Sequence, residues 1–213
     1  MPDRVPIAVL GSGSGPNLQA LRDQVHGRHG IEVDVVVSNR ADAPALERAR
    51  AAGVETAVFD AADHPSRGER DRAMAGFLKE RRVALVVLAG YMQLLDRGFI
   101  SQFPRSVINV HPALLPAFPG AHPIEDQIAY GVKVSGVTVH FVDDGVDTGP
   151  IILQQAVTLP YTRDDKEILT VLHRTEHKLL PRAVRLIANG AVSPDPDNPR
   201  LVRVDESALE NDG

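Results

Sequence analysis

The sequence predicts an α/β domain: an open, doubly wound, mostly parallel sheet with an antiparallel pair in its C-terminal part. Three observations carry that expectation. Short β-branched runs alternate with helical segments through the first half of the chain. A glycine cluster separates the first run from the first helix, where open α/β sheets bind ligands. Later, two alternating runs follow one another across a turn-rich connection, and a long helical stretch comes after them.

Taken in order, VPIAVL at residues 5–10 is an apolar strand, and PNLQALRDQVHGR is a helix opened by Pro16. EVDVVVSN at 32–39 is apolar at most positions, as in a strand buried on both faces. APALERARAAG is a helix with Gly53 as its stop. VETAVF, GERDRAMAGFLKERR and VALVVLAG continue as strand, helix and strand, which implies parallel strands with right-handed crossovers. SVINVHP is a short strand cut off by Pro112, and HPIEDQIAYG is a short helix. SGVTVHFVDD and GPIILQQAVTL form the antiparallel pair, and a helix runs from roughly 164 to 189. A single domain over 1–213 is expected, with its core to about 190 and a short hairpin and frayed tail over 191–213.

Composition narrows the class. The 213 residues are 43% hydrophobic and 24% charged, which suits an ordinary globular chain. There is no cysteine, which excludes disulfides, a thiol nucleophile and thiolate-bound zinc. Net charge is −5 with scattered cations, so nucleic acid is not an expected partner. No apolar run is long enough to span a bilayer, and the N-terminus lacks a signal-sequence pattern. A cytoplasmic enzyme or binding protein is expected.

LGSGSGPNLQAL offers an anion site. Backbone N–H groups of such a loop, with the positive end of the following helix, form a ready anion site, and its three glycines let the backbone approach the anion. It is no Walker loop, lacking Lys-Ser/Thr after its last glycine, and Pro16 breaks a dinucleotide fingerprint. A plain tight turn is the bland alternative.

VINVHPALLPAFPGAH supplies the second constellation. Asn109 and His111 stand two apart on an extended segment, so both project to one side. Pro112, Pro116 and Pro119 stiffen the chain around them. An amide N–H and an imidazole aimed together would stabilise a developing oxyanion. A nearby carboxylate would raise the histidine pKa. Asp143, Asp144 and Asp147 in FVDDGVDTGP are all candidates, and the residues alone do not choose among them.

These segments, with SNRADAPALERA and VVLAGYMQLL in the same order, resemble the formyltransferases that use 10-formyltetrahydrofolate. The similarity covers about 185 residues. It implies formyl transfer from the folate nitrogen to the amine of glycinamide ribonucleotide in purine synthesis, without a metal, by a monomer or homodimer. By the same resemblance, Asn109 and His111 stabilise the oxyanion, His111 acts as general acid, and Asp147 raises the histidine pKa. Gly13, Ser14, Gly15, Pro16 and Asn17 hold the substrate phosphate, with Glu176 beside the ribonucleotide. Met92, Gln93, Leu94 and Leu95, together with Arg67 and Asn109, contact the folate. Two positions depart from the family pattern: Pro16 replaces a common serine and Gln93 a common arginine.

Two related enzymes share the constellation. Methionyl-tRNA formyltransferase carries a further nucleic-acid-binding domain, and formyltetrahydrofolate deformylase a regulatory one. The deformylase usually reads His-His where this chain reads His111-Pro112, so the purine-pathway reading is preferred. A deformylase-like hydrolase stands as the alternative. More remotely, HRTEH matches an inverted zinc-hydrolase motif through His173, Glu176 and His177, against the bland reading of solvent-facing histidines on a helix. His140 and His122 are undecided between site and structure; His26, His29 and His64 read as surface residues.

Overall fold

The computed structural model describes residues 4–209. The chain forms two compact units, Met1–Asn109 and Val110–Gly213.

In the first unit, β1 (Val5–Leu10), β2 (Ile31–Ser38), β3 (Glu55–Val58), β4 (Leu85–Leu88) and the start of β5 (Val107–His111) are parallel. Their order is β3-β2-β1-β4-β5. The chain thus winds outward from β1 to β3 and then crosses to β4 on the other side of β1. That reversal opens a crevice at the carboxyl ends of β1 and β4, the usual ligand position in such sheets. Register aligns Val37, Leu10, Leu88 and Asn109 in one row across the sheet, so the loops that follow leave from one edge.

The helices form where the sequence supplies caps. α1 (Pro16–Gln24) starts on Pro16 after Gly15, whose φ of 71° lies in the left-handed region that favours glycine. α2 is Pro44–Arg50. α3 (Arg67–Glu80) is capped by Ser66 Oγ, which accepts the Glu69 N–H at 3.2 Å. The sheet is buried on both faces: Ile7, Val36, Val86 and Ile108 have no exposure. Each such side chain contributes about 1.5–3 kcal/mol of burial.

The four-residue α4 (Arg97–Ile100) is not anticipated by sequence, because a single turn has no periodicity to read. Its signal is Asp96, whose side chain accepts the Gly98 N–H at 2.7 Å.

In the second unit the order is β5-β6-β7, with β6 (Val134–Phe141) antiparallel to β7 (Ile151–Thr158). The segment after β5 is pinned to β6 through Thr138, which has no exposure. Its hydroxyl donates to Ala113 O at 2.7 Å and accepts the Leu115 N–H at 3.1 Å. Gln154 Nε2 reaches Thr138 Oγ1 and Leu115 O, both at 2.9 Å. α5 (Pro123–Tyr130) adds Gln127, donating to Pro112 O at 2.9 Å.

α6 (Asp165–Ala188) begins on Asp164, which accepts the Lys166 N–H at 2.9 Å. Asp165 and Glu167 in its first turn and Arg185 in its last complement the helix dipole. Ile168, Leu172, Leu179, Ala183 and Leu186 bury one face at helical spacing. The expected hairpin is β8 (Val192–Pro194) with β9 (Val202–Val204). Where a frayed end is expected beyond it, Glu206–Leu209 instead forms a 3-10 turn with Glu206 paired to Arg182 at 2.6 Å, and from residue 210 the tail lies outside the described residues.

Gly136 on β6 has no room for a side chain, since a Cβ there would meet the Gln155 carbonyl oxygen and the Leu114 side chain. Gly136→Ala should therefore cost about 3 kcal/mol, read as a lower urea midpoint. A variant as stable as the parent would show that the backbones do not approach this closely.

Candidate active site

In the first unit, one hydroxyl ties three loops at the carboxyl edge. Ser12 Oγ donates to Asn39 Oδ1 at 2.5 Å and accepts the Met92 N–H at 3.0 Å. The Ser12 N–H donates to Gly90 O at 2.9 Å, across the crevice between β1 and β4. Gly13 and Ser14 are exposed, whereas Gly15 and Asn17 are buried. Ala45 N–H donates to Gly13 O at 3.1 Å, and a Cβ on Gly15 would come within 3.1 Å of Ala45 Cβ. The loop is thus held from behind by α2, with Gly13 and Ser14 outward.

The segment after β4 presents apolar side chains to solvent: Met92 is 70% exposed and Leu94 57%. Gln93 is exposed and Leu95 half-buried. Arg67 is exposed on the first turn of α3. The arginine that meets the segment is Arg70, one turn further on, which donates to Gln93. Sequence reading missed Arg70 because helical phase, not motif, decides which of the two points inward.

In the second unit, Asp147 is the aspartate that joins His111. His111 Nδ1 lies 3.4 Å from Asp147 Oδ2, and His140 Nε2 lies 3.5 Å from Asp147 Oδ1. Asp147 Oδ2 also accepts the Gly120 N–H at 2.8 Å. Asp143 instead accepts Thr148 Oγ1 at 2.6 Å and the Gly145 N–H at 3.0 Å, which closes the turn, and Asp144 is exposed. The three candidates are separated by backbone: Asp147 occupies the left-handed region, φ 53°, which aims its carboxylate back at β5 and β6. His140, undecided from sequence, belongs to this cluster. It sits at a register shift in β6, and its Nδ1 donates to Phe141 O at 2.8 Å.

His111 Nε2 donates to the Phe118 carbonyl at 2.7 Å, because a carbonyl can only accept. Burial pushes the His111 pKa down, and the His140 imidazole adds to that. The Phe118 carbonyl and Asp147 pull upward but do not prevail. Asp147 thus raises the His111 pKa, as expected, but His111 is 4% exposed and desolvation outweighs that pull. Burial would also push Asp147 up. The His140 hydrogen bond, the Gly120 N–H and the fields of both imidazoles outweigh it, so the carboxyl stays below the ordinary range. Asn109, two residues before His111 on β5, is half-buried.

Glu176 is buried on α6, 4.0 Å from His173 Nε2. His173 and His177 stack with ring centroids 6.0 Å apart, and burial holds both pKa values down. Among the described residues, no group of three or more His, Cys, Asp or Glu is arranged to hold a metal ion, and no helix is long and apolar enough to cross a membrane. His122 is exposed beside Glu125. His26 and His64 are half-buried rather than surface residues; His26 Nδ1 accepts the Val33 N–H at 3.1 Å.

A parallel sheet with a reversed strand order, carrying an Asn-x-His strand end and a carboxylate on that histidine, defines a class. Residues 5–184 match the Formyl transferase family, and the chain belongs to it. It is 41% identical over 198 residues to phosphoribosylglycinamide formyltransferase of Mycobacterium tuberculosis, covering 90% of this chain and 92% of that one. The crystal structure of glycinamide ribonucleotide transformylase 1 from Symbiobacterium toebii aligns with a TM-score of 0.91 and 45% identity, over 96% of this chain and 95% of that one. The trifunctional purine biosynthetic protein adenosine-3 of Drosophila pseudoobscura is 44% identical over 194 residues. That match takes in 89% of this chain but only 14% of the longer protein.

The depressed histidine values have a sign. His111, His173 and His177 bind protons less tightly folded than unfolded, so their stabilisation is complete above about pH 6.5 and is lost as pH falls through the folded values. Ring-proton NMR should place the His111 midpoint below 6.5. The urea midpoint should also fall less between about pH 7 and pH 5 in His111→Gln than in the parent. A His111 midpoint above 6.5 would mean that Asp147 outweighs burial.

Proposed function

We propose that this chain transfers the formyl group of 10-formyltetrahydrofolate to the primary amine of glycinamide ribonucleotide, a step of purine biosynthesis. What carries the reading is the full-length likeness to the Mycobacterium tuberculosis enzyme, joined to the His111–Asp147 pair on the strand that bears Asn109. The likeness also favours it over deformylation and over zinc hydrolysis at His173, Glu176 and His177. The family match runs through both units, which supports one functional domain over 1–213.

The chemistry uses these groups in turn. The amine lone pair adds to the formyl carbon, and the carbonyl oxygen becomes an alkoxide. Asn109 and His111 Nε2–H would donate to that oxygen, each such donor being worth about 3–4 kcal/mol. Collapse breaks the bond from the formyl carbon to the folate nitrogen, which leaves only when protonated. The amine proton would first reach His111 Nδ1 through a water beside Asp147, a transfer favoured by the growing negative charge of the oxyanion. The imidazolium so formed would give its Nε2 proton to the folate nitrogen, leaving its carbonyl partner Phe118, and ends neutral again.

The remaining assignments follow the resemblance. Gly13, Ser14, Gly15, Pro16 and Asn17 would hold the phosphate, and Glu176 would lie beside the ribonucleotide. Met92, Gln93, Leu94, Leu95, Arg67 and Asn109 would take the folate. No step requires a metal, and the expected setting is the cytoplasm, as a monomer or homodimer.

The test is the absorbance change of the folate with the ribonucleotide present and omitted. Consumption that requires the amine is the expected outcome; formyl loss to water alone would make the chain a deformylase. Asn109→Ala, His111→Ala and Asp147→Ala should each lower turnover by about 100-fold or more while circular dichroism is retained. Near-parental turnover in all three would remove the mechanism.

A further inference from the structure

The exposed segment Met92–Leu95 stands on a buried ion pair. Arg70 and Asp71, neighbours on α3, are 1% and 0% exposed. Arg70 Nε and Nη2 lie 2.8 and 2.7 Å from Asp71 Oδ1. The second carboxylate oxygen accepts the Asp96 N–H at 2.7 Å, and Arg70 Nη1 donates to Gln93 Oε1 at 3.3 Å. One pair thus holds the segment both at Gln93 and at Asp96. Stability is a weak explanation for it, because desolvating two charges offsets most of their attraction.

We propose that Arg70 is a positioning residue that fixes Gln93 as a hydrogen-bond donor toward the heterocycle of the formyl donor; this rests on the function proposed above. An amide presents an acceptor at one end and two donors at the other. A guanidinium only donates, so it takes Oε1 and turns Nε2 away from itself. Without Arg70 the amide could present either end. With it, position 93 offers N–H to a ligand edge that carries acceptors, such as a ring carbonyl or ring nitrogen of a pteridine. Met92 and Leu94, exposed on either side, offer apolar surface to a flat ring. A ring edge bearing donors at that place would be disfavoured.

Steady-state kinetics with both substrates varied tests this. Gln93→Glu keeps an acceptor for Arg70, and so keeps the segment in place, but carries no N–H. Gln93→Met loses both. Each should raise KM for 10-formyltetrahydrofolate by about tenfold, with the loss falling on KM rather than kcat and with KM for the ribonucleotide within about twofold of the parent. Arg70→Lys keeps a charge on Asp71 but gives up the fork that reaches Gln93. It should show the same rise, and combining it with Gln93→Met should add nothing. A Gln93→Glu protein with parental KM overturns the proposal, because Gln93 would then serve only to hold the segment; an additive double variant overturns it too. If Arg70→Lys does not fold, the two variants at exposed Gln93 decide alone. A parent that consumes no formyl donor overturns the functional reading as well, whereas an active parent with insensitive Gln93 variants overturns this proposal only.

Discussion

The geometry of the second unit depends on one carboxylate shared three ways. Asp147 faces His111 through one oxygen and His140 through the other, and the first oxygen also takes the Gly120 N–H. Two imidazoles, the segment after β5 and the turn after β6 are thereby referred to a single group. A carboxylate has lone pairs enough for all of them, and a buried network of this kind is rigid only when every member is satisfied. The sharp turn that brings Asp147 there leaves no room for side chains: a Cβ on Gly149 would strike the Phe141 carbonyl, and one on Gly145 would strike Thr148. The left-handed backbone at Asp147 and at Phe118, φ 53° each, is the conformational cost of closing the ring of contacts.

The same economy governs charge. A buried pair of histidines around one aspartate could be read as a cationic site, but desolvation decides otherwise at His111. The negative partner stays ionised, and the His111 Nε2 proton goes to a backbone carbonyl. The stiffening expected of the prolines after His111 is supplemented by a network the sequence did not advertise, in which Thr138, Gln154 and Gln127 hold the carbonyls and amides of Pro112, Ala113 and Leu115.

Much of this was legible in the sequence, for reasons that can be named. The long final helix, expected over roughly 164 to 189, runs from 165 to 188, with Asp164 and Asn189 as its caps. The strands of the first unit were readable because a sheet buried on both faces demands unbroken apolar runs, and the row that ends at Asn109 follows from them. Resemblance, and not spacing, singled out Asp147 from its neighbours, since turn aspartates look alike until the backbone torsions are known. His140 could be placed on a strand but not on a partner, because the register shift beside it re-aims the side chain. The net direction at His111 was not legible, because proximity to a carboxylate can be guessed from a motif, whereas depth of burial cannot. Arg70 escaped notice for a similar reason: three arginines crowd the start of α3, and only packing distinguishes the inward one.

Ser12 bears on how this scaffold can be re-engineered. Its hydroxyl has a single hydrogen, which goes to Asn39, and its lone pair receives the Met92 amide, so the polarity of both bonds is set. The loops that follow β1, β2 and β4 are consequently not independent modules. Transplanting one of them without its partner side chain would remove a hydrogen bond from a loop that was left untouched. A graft intended to change what this edge recognises has to keep Ser12 with Asn39, and a backbone N–H at position 92 within reach of that hydroxyl.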